Sequence, residues 1–490
     1  MKNHSNGLQN IREEAQDGHR FYQTRSSHWD SVAQTGNPPG HGWGGAYRSR
    51  LSEVYRFLIP PGSKVLELGC GQGDLLASVR PARGVGVDFS AAMLERGRQR
   101  HPEIHFVCED IHSLKLDETF DFIIISDLLN DLWDVQQVFE VVRPNCHSRT
   151  RVVINLYSHL WEKPLEFVQK WGLATPTLPQ NWLTVEDVAN LLYLTDFEMI
   201  RSWPEILWPF RIPLFSSLLN RYAVRFWPFR WFALTNFLIA RPCSNDAAPD
   251  PAPLVSVIVP ARNEAGNVPR IFSRTPEMGR GIELVFVEGH SRDGTYEAIE
   301  KAIAENPHRR CQLHRQTGAG KGDAVRLGFS KATGDVLMIL DADLTVPPED
   351  LPRFLAALTS GKAEFVNGVR LVYPMENRAM RFFNLLGNKF FSLTFSWLLG
   401  QSIKDTLCGT KVLKREEYGR IEQNRSYFGD FDPFGDFDLI FGAAKLNLKI
   451  VDLPVRYRER TYGTTQIQRW SHGWLLLKMV AFAARRIKFI

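Results

Sequence analysis

Short apolar runs alternate with helix-like stretches along the whole chain. In the first half these runs are Lys64-Val-Leu-Glu-Leu68, Val85–Val87, Phe122–Ile125 and Val152–Ile154; in the second they are Leu254-Val-Ser-Val-Ile-Val-Pro260, Leu284–Val287 and Val336–Leu340. Runs of this length that are apolar at nearly every position read as strands buried on both faces, and their alternation with helical patterns predicts parallel sheets. Between the two sets, Arg241-Pro-Cys-Ser-Asn-Asp-Ala-Ala-Pro-Asp-Pro-Ala-Pro253 holds four prolines. Proline removes a backbone donor and fixes φ, so this stretch stops helix and sheet alike and predicts a linker. The expected organisation is two tandem α/β domains, 1–240 and 254–490, joined by a linker over 241–253. There is no short-period repeat, and the halves do not resemble each other.

The length of 490 residues agrees with two large domains, and 44% apolar with 23% charged residues places the chain among globular proteins. Lys+Arg 59 against Asp+Glu 54 leaves a net charge of +5, compatible with anionic ligands or a membrane surface but too small for a nucleic-acid footprint. The cysteines at 70, 108, 146, 243, 311 and 408 lie far apart, without a C-x-x-C pair, which argues against a zinc cage or a disulfide framework. The N-terminal MKNHSNGLQNIREEAQDGHR lacks the apolar core of a signal peptide, and no run of 18 residues is both apolar and uncharged. A cytoplasmic location is therefore expected.

Three segments combine aromatics with cations and almost no acids. From Arg201 to Arg241 there are eleven aromatics and six arginines against one acid, Glu205. Arg378 to Gly400 is apolar with Arg378, Arg381 and Lys389, and Ile467 to Ile490 carries five Lys/Arg and no acid. Helices of this kind can lie in a bilayer interface with the rings at headgroup depth and the cations towards anionic lipid, which predicts peripheral contact with the inner membrane surface. Packing between domains with snorkelling arginines is the other reading of the same pattern.

The first half contains Val65-Leu-Glu-Leu-Gly-Cys-Gly-Gln-Gly-Asp-Leu-Leu76, a strand running through a glycine turn into a helix. Glycines 69, 71 and 73 let the backbone turn sharply and approach a ligand. The next strand ends in an acid, Asp88, where such folds hydrogen-bond a ribose. An acid, Glu67, stands before the glycines, where a pyrophosphate binder needs neutral donors; a carboxylate there suits a cationic ligand. Glu67-Leu-Gly-Cys-Gly-Gln-Gly73 resembles motif I of class I S-adenosylmethionine-dependent methyltransferases. The resemblance runs from about Tyr22 to Arg241 and implies a Rossmann-like sheet that binds S-adenosylmethionine through Glu67, Gly69, Gly71, Gly73 and Asp88. It places Asp110 and Ile111 at the adenine edge and Phe120–Ser126 as the fourth strand. Candidate acceptor groups are His28-Trp-Asp30, Tyr47, Asp127, Asn130 and Asp131, each of which can equally be a surface or capping residue.

The second half presents four ordered motifs: Val257-Ile-Val-Pro-Ala-Arg-Asn-Glu264, Glu283-Leu-Val-Phe-Val-Glu-Gly-His-Ser-Arg-Asp-Gly-Thr295, Gly318-Ala-Gly-Lys-Gly-Asp-Ala324 and Leu340-Asp-Ala-Asp-Leu344. Two carboxylates at i and i+2 on a bend leaving a strand can hold a divalent cation whose other ligands are diphosphate oxygens. Together the motifs resemble family 2 glycosyltransferases with the GT-A fold, in the dolichyl-phosphate mannose or glucose synthase-like branch, over about Leu254 to Lys478. The resemblance implies that Pro260, Arg262, Glu264 and Glu288 frame the nucleotide of a nucleotide-sugar donor, and that Asp341 and Asp343 hold Mg²⁺ or Mn²⁺. Thr345 stands where the branch often has a further polar ligand. Asn367-Gly-Val-Arg370, Arg378, Arg381 and Asp405-Thr-Leu-Cys-Gly-Thr-Lys411 are similar to the branch's arginine and D-x-x-C-G-x-K positions, and the arginines suit a lipid phosphate because the guanidinium fork meets two oxygens at once. Arg460-Thr-Tyr-Gly-Thr-Thr-Gln466 is similar to its R-x-x-G-x-S-K loop, with Gln466 in place of the lysine.

The chemistry so implied is inverting, in-line transfer of a sugar, with Asp343 and Arg460 as catalytic residues beside the departing diphosphate. A polyprenyl phosphate or related glycolipid acceptor needs no general base. A sugar or polysaccharide hydroxyl needs one, and Asp436 is the candidate. The expectation is a bifunctional methyltransferase and glycosyltransferase. The alternative is a hydroxyl-directed glycosyltransferase whose first domain is a scaffold that binds S-adenosylmethionine without transferring its methyl group.

Overall fold

The computed structural model describes residues 18, 20–34, 45–170, 178–210, 212, 214–243, 251–370, 372, 382–425, 435–460, 462 and 469–490. The chain divides after Cys243 into two compact units, each built on one seven-stranded sheet. The segment read as a linker lies, from 244 to 250, outside the described residues.

The first sheet comprises β1 (Lys64–Leu68), β2 (Arg83–Asp88), β3 (His105–Cys108), β4 (Phe120–Ser126), β5 (Cys146–Tyr157), β6 (Phe197–Ile206) and β7 (Thr235–Pro242), in the order β3-β2-β1-β4-β5-β7-β6. Leu66, Leu68, Ile123 and Ile125 face one core, while Val65, Phe122, Ile124 and Val153 face the other. Both faces are thus covered, which is why these strands read as unbroken apolar runs. The second sheet comprises β8 (Val255–Ala261), β9 (Ile282–Glu288), β10 (Arg310–Arg315), β11 (Val336–Ile339), β12 (Phe365–Val369), β13 (Lys411–Lys414) and β14 (Ile450–Pro454), in the order β10-β9-β8-β11-β13-β12-β14. Val257, Val259 and Met338 point to one core and Ile258, Leu337 and Ile339 to its opposite.

Both sheets are mixed, where the apolar runs alone suggest parallel ones. β7 runs antiparallel to β5 and β6, and β13 antiparallel to β11 and β12. Each reversed strand still follows a helix, Phe215–Arg221 before β7 and Phe382–Leu399 before β13, so the alternation of strands and helices does not reveal its direction. β7 also continues to Pro242, paired with Phe197, so pairing extends two residues into the segment expected to link the domains.

The cationic, aromatic segments divide differently from expectation. The helix Phe382–Leu399 buries Phe391, Phe395, Leu398 and Leu399, and the helix Arg469–Ala483 buries Leu476, Met479 and Ala483, all in one core of the second sheet. Their inward faces are therefore packing surfaces. The same helices leave Phe390, Leu393, Trp474 and Leu477 exposed, and in the first unit Leu214 is 88% exposed, Trp227 71% and Trp231 62%, with Phe229 and Phe232 exposed beside them. Among the described residues no helix is long and apolar enough to cross a membrane.

The one acid of that first segment anchors it. Glu205, fully buried on β6, accepts hydrogen bonds from Arg50 Nη2 at 2.6 Å, Arg225 Nη2 at 2.7 Å and Trp203 Nε1 at 2.8 Å. Arg50 belongs to the helix Gly45–Leu58, so the pair ties that helix to the sheet. Burial works against the charge of Glu205, yet the two guanidinium groups hold its pKa below the usual carboxylate value. Removing one partner of a buried ion pair leaves the others uncompensated and costs roughly 3–5 kcal/mol. Glu205→Ala is expected to destabilise the chain by that order in urea unfolding; a loss of under about 1 kcal/mol, the range of an exposed pair, would show that the arginines are solvated instead.

Candidate functional sites at the two sheet edges

At the carboxyl edge of the first sheet the chain turns through Gly69, Gly71 and Gly73, all at positive φ (66°, 52° and 75°). A Cβ on Gly69 would collide with Leu128 and one on Gly73 with the Phe106 ring, whereas one on Gly71 would meet nothing within 4 Å. The turn is therefore packed on two sides and open at its middle. Asp88, at the end of β2, accepts from Gly71 N at 2.8 Å and Ser90 N at 2.9 Å, which fixes its carboxylate beside the open glycine. Glu67 lies beneath, its Oε2 accepting from Leu76 N at 3.0 Å. Burial pushes the pKa of both acids up. A buried acid is stabilised in its charged form by a nearby cation, so this edge suits a cationic ligand.

Asp110 follows β3 and accepts from His112 N and from His112 Nδ1, both at 3.0 Å, while Ile111 is buried. The helix over residues 20–34 reaches the same edge. Ser90 Oγ donates to Asp30 Oδ1 at 2.5 Å, Trp29 Nε1 donates to Asp131 Oδ2 at 2.9 Å, and Arg25 Nε lies 2.7 Å from Asp131 Oδ1. Asp30 and Asp131 thus tie the helix down beside Asp88, and Asn130 is engaged with Asn181 O. His28 Nε2 and Gln72 Oε1 are buried without a hydrogen-bond partner among the described residues. The open glycine, the buried acids and these two unmatched polar atoms fit a ligand with a positive centre and several polar groups, as S-adenosylmethionine has.

The second sheet also gathers its polar residues at the carboxyl ends of β8, β9 and β11. Pro260 is the last but one residue of β8, Arg262 is exposed just beyond the strand, and Asn263 takes a positive φ of 55° to start the loop. Glu264 is buried, and burial pushes its pKa up to about 7 against the pull of Arg460, whose Nη1 lies 3.2 Å from Oε1. Glu288 ends β9 buried, with Oε1 accepting from Ser291 N, so it also shapes the following turn.

After β11, Asp341 and Asp343 each meet a cation. Asp341 Oδ1 lies 2.7 Å from Lys321 Nζ, and Asp343 Oδ2 accepts from Arg460 Nη2 at 2.5 Å. Thr345 donates from both N and Oγ1 to Asp343 Oδ1, at 3.1 and 2.8 Å, so it holds this carboxylate in place. Asp436 opens the helix Asp436–Lys445, buried, with Lys411 Nζ at 4.0 Å. Burial opposes the charge on Lys321, but Asp341, Asp436 and Asp343 together raise its pKa. Gly409 is required here, because a Cβ would fall on both the Asp341 carboxylate and the Lys321 ammonium.

Among the described residues no group of three or more His, Cys, Asp or Glu stands ready to enclose a metal. The donor set nevertheless fits a hard divalent ion that takes its remaining oxygens from a ligand, since two carboxylates leave one strand end. Lys321 and Arg460 already provide positive charge at those oxygens.

Some expected site residues do other work. Arg370 was expected to face a phosphate, but its fork is closed on Asp405, Nε to Oδ2 at 2.6 Å and Nη2 to Oδ1 at 2.8 Å, in a buried pair. Burial opposes the charge on Asp405, yet Arg370 holds its pKa down at about 2. A guanidinium so engaged holds its own loop to that of Asp405 through Nε and Nη2. Arg378, Arg381 and Gln466 lie outside the described residues. Lys321 and Tyr462, which donates to Asp293 Oδ2 at 3.2 Å, went unassigned in the sequence, while Lys411, the last residue of the Asp405–Lys411 motif, stands beside Asp436. For Lys321 a signal existed, a cation between glycines in Gly318–Ala324, but its partner Asp341 follows twenty residues later.

Residues 256–418 match the family model Glycosyl transferase family 2, and residues 65–145 match the model Methyltransferase domain. The dolichol-phosphate mannosyltransferase of Pyrococcus furiosus is 29% identical over 245 residues, 48% of this chain and 67% of that protein. The polyprenol monophosphomannose synthase of Mycolicibacterium smegmatis is 28% identical over 235 residues, 47% of this chain and 86% of that protein. A solved structure of glucosyl-3-phosphoglycerate synthase from Mycobacterium tuberculosis, with Mn²⁺, uridine diphosphate and glucosyl-3-phosphoglycerate, is 19% identical. It covers 49% of this chain and 81% of its own, with a TM-score of 0.36. The chain thus joins a methyltransferase domain in its first half to a family 2 glycosyltransferase domain in its second.

Proposed function

We propose that the chain is a bifunctional enzyme. Its first unit transfers a methyl group from S-adenosylmethionine, and its second passes a sugar, with inversion, from a nucleotide-sugar to a polyprenyl phosphate or related glycolipid, working at the cytoplasmic face of a membrane. The observation that carries the second activity is the run of opposed charges Asp341, Lys321, Asp436 and Lys411, with Asp343, Arg460 and Glu264 alongside. The curated relatives are named for mannosyl transfer to dolichol or polyprenol phosphates, which supports the acceptor class.

In this reading Asp341 and Asp343 would hold Mg²⁺ or Mn²⁺, which when bound supplies positive charge to the diphosphate. Lys321 and Arg460 exchange their carboxylate partners in part for diphosphate oxygens and stabilise the negative charge that grows as the sugar leaves. Thr345 holds the Asp343 carboxylate in place as this happens, and Gly409 leaves room for that of Asp341 beside Lys321. Asp436 stands beside Lys411 and within the field of Lys321, surroundings that suit a fixed negative charge orienting the lysines better than a group that must take up a proton. That favours an acceptor already anionic at neutral pH over a sugar hydroxyl.

In the first unit the open Gly71, Asp88 and the buried Glu67 hold the donor, and the helix over 20–34 covers it. Because the sulfonium is reactive as bound, the protein's task is alignment. The shared chain suggests that both reactions serve one glycan or glycolipid pathway.

Asp343→Ala is expected to lower sugar transfer to a short polyprenyl phosphate by at least 1000-fold, in assays with UDP-, GDP- and dTDP-sugars and Mg²⁺ or Mn²⁺. Wild-type chain that binds nucleotide but makes no product with any donor would exclude the lipid-phosphate acceptor.

Membrane contact would rest on the exposed aromatic face of the first unit, where Trp227, Trp231 and Phe232 stand among arginines. In co-flotation with vesicles, Trp227→Ser/Trp231→Ser is expected to weaken binding to anionic vesicles by about tenfold or more, since each indole buries a large area. Equal binding of variant and wild type would assign this face to something other than a bilayer.

A further inference from the structure

One polar cluster in the first unit takes no part in holding the donor. Asp127 directly follows β4 at the carboxyl edge of the sheet, in a left-handed conformation (φ 51°) that turns its side chain out of the strand path. Tyr47 OH donates to Oδ1 at 2.8 Å and Oδ2 at 2.9 Å, and Asn155 Nδ2 donates to Oδ1 at 2.6 Å. Asn155 is oriented in turn by Tyr55, whose hydroxyl donates to its Oδ1 at 2.7 Å. Thr235 Oγ1 donates to Tyr47 OH at 3.1 Å, and the rings of Tyr47 and Tyr157 stack at 5.9 Å.

Four separate elements, β4, β5, β7 and the helix Gly45–Leu58, therefore converge on one carboxylate. The same helix is tied down by the buried pair of Arg50 with Glu205. Of the other acceptor candidates nearby, Asp131 is consumed in holding the 20–34 helix, and Asn130 donates to Asn181 O while its buried Oδ1 meets no partner among the described residues. Asp127, Tyr47 and Tyr157 keep part of their surface accessible. An ionised carboxylate offers about four lone-pair directions. Tyr157 hydrogen-bonds to it as well, so an incoming hydroxyl would take the place of this partly accessible donor, at the sheet edge where the donor turn also opens.

We propose that Asp127 is the general base of the methyl transfer and that Asp127, Tyr47, Asn155 and Tyr157 form the subsite for a neutral hydroxyl acceptor. This rests on the reading that the first unit transfers methyl from S-adenosylmethionine. The acceptor O–H donates to Asp127, its proton passes to the carboxylate, and the oxygen forms a bond to the methyl carbon as the carbon–sulfur bond breaks. The sulfonium becomes a neutral thioether, the product is a methyl ether, and the carboxylic acid then returns its proton to water. An anionic phosphate is disfavoured by the carboxylate it would face, and a hydroxyl gains from a base that an amine already deprotonated would not need.

Burial pushes Asp127 up to about 7, with the hydroxyl of Tyr47, the amide of Asn155 and the charge of Arg48 pulling it back. The groups that face it are Tyr47 and Arg48 from the helix, Asn155 and Tyr157 from β5, and Tyr55 behind Asn155. The tyrosines are shifted upward by burial and by Asp127, so they remain donors. The base is active above the Asp127 pKa, and the rate therefore rises with pH to a plateau above about 7.

The test uses the full-length chain, tritiated S-adenosylmethionine and three probes: methyl α-mannoside for hydroxyls, propylamine for amines and a short polyprenyl phosphate. Label is expected in the mannoside as an alkali-stable ether. Asp127→Asn is expected to lower that rate by about 100-fold or more and remove the rise near pH 7, with donor affinity by calorimetry changed less than about twofold. Tyr47→Phe, which keeps the fold but loses one donor, is expected to fall between the two and shift the pH midpoint upward. Label in the amine or phosphate probe, or Asp127→Asn within about threefold of wild type, overturns this proposal alone. Donor binding without label in any probe overturns the methyl-transfer reading and this proposal with it.

Discussion

Acids at the carboxyl ends of buried strands, each held by a cation or by backbone amides, are the constraint on which both sites depend. A carboxylate at the edge of a low-dielectric core is costly unless a charge or several donors meet it. In the second unit Lys321 and Arg460 meet Asp341 and Asp343; in the first, backbone amides meet Glu67 and Asp88. Each arrangement keeps a charge desolvated and oriented, ready for a ligand of complementary charge.

The two units answer opposite problems with the same scaffold. The donor proposed for the first is a cation, and its cradle is lined by acids with one unfilled position at Gly71. The leaving group proposed for the second is an anion, and its site interleaves cations with acids so that neither sign is left unbalanced before the ligand arrives. Close backbone approach serves both, at Gly71 beside Asp88 and at Gly409 against Asp341 and Lys321.

What could be read from the sequence was local. β1, β4, β8, β9 and β11 announce themselves because both faces are buried, and Glu67–Gly73 and Asp341–Asp343 are contiguous. β3, β10 and β13 do not, since His105–Cys108 and Arg310–Arg315 mix polar and apolar positions at or near a sheet edge, and Lys411–Lys414 is short and reversed. Pairings across long separations were equally hidden: Arg460 reaches Glu264 and Asp343, and Arg370 closes on Asp405, a partner that no spacing rule supplies. Glu205 reads as an isolated acid in a cationic run, yet it gathers Arg50 and Arg225 from either side. The helices Phe382–Leu399 and Arg469–Ala483 are apolar on more than one side, so their sequence does not say which residues the core covers; it takes Phe391, Phe395, Leu476 and Met479 and leaves Phe390, Leu393, Trp474 and Leu477 exposed.

The central claim is that Asp341 and Asp343, already paired with Lys321 and Arg460, complete a metal site only when a nucleoside diphosphate arrives to share the ion and take up those cations. Titration of Mn²⁺ into the full-length chain, followed by electron paramagnetic resonance with and without GDP or UDP, tests it most directly. The account predicts weak binding of Mn²⁺ alone and an increase in affinity of at least about tenfold with one of the nucleotides, lost in Asp343→Ala. Tight Mn²⁺ binding that is the same with and without nucleotide would contradict it.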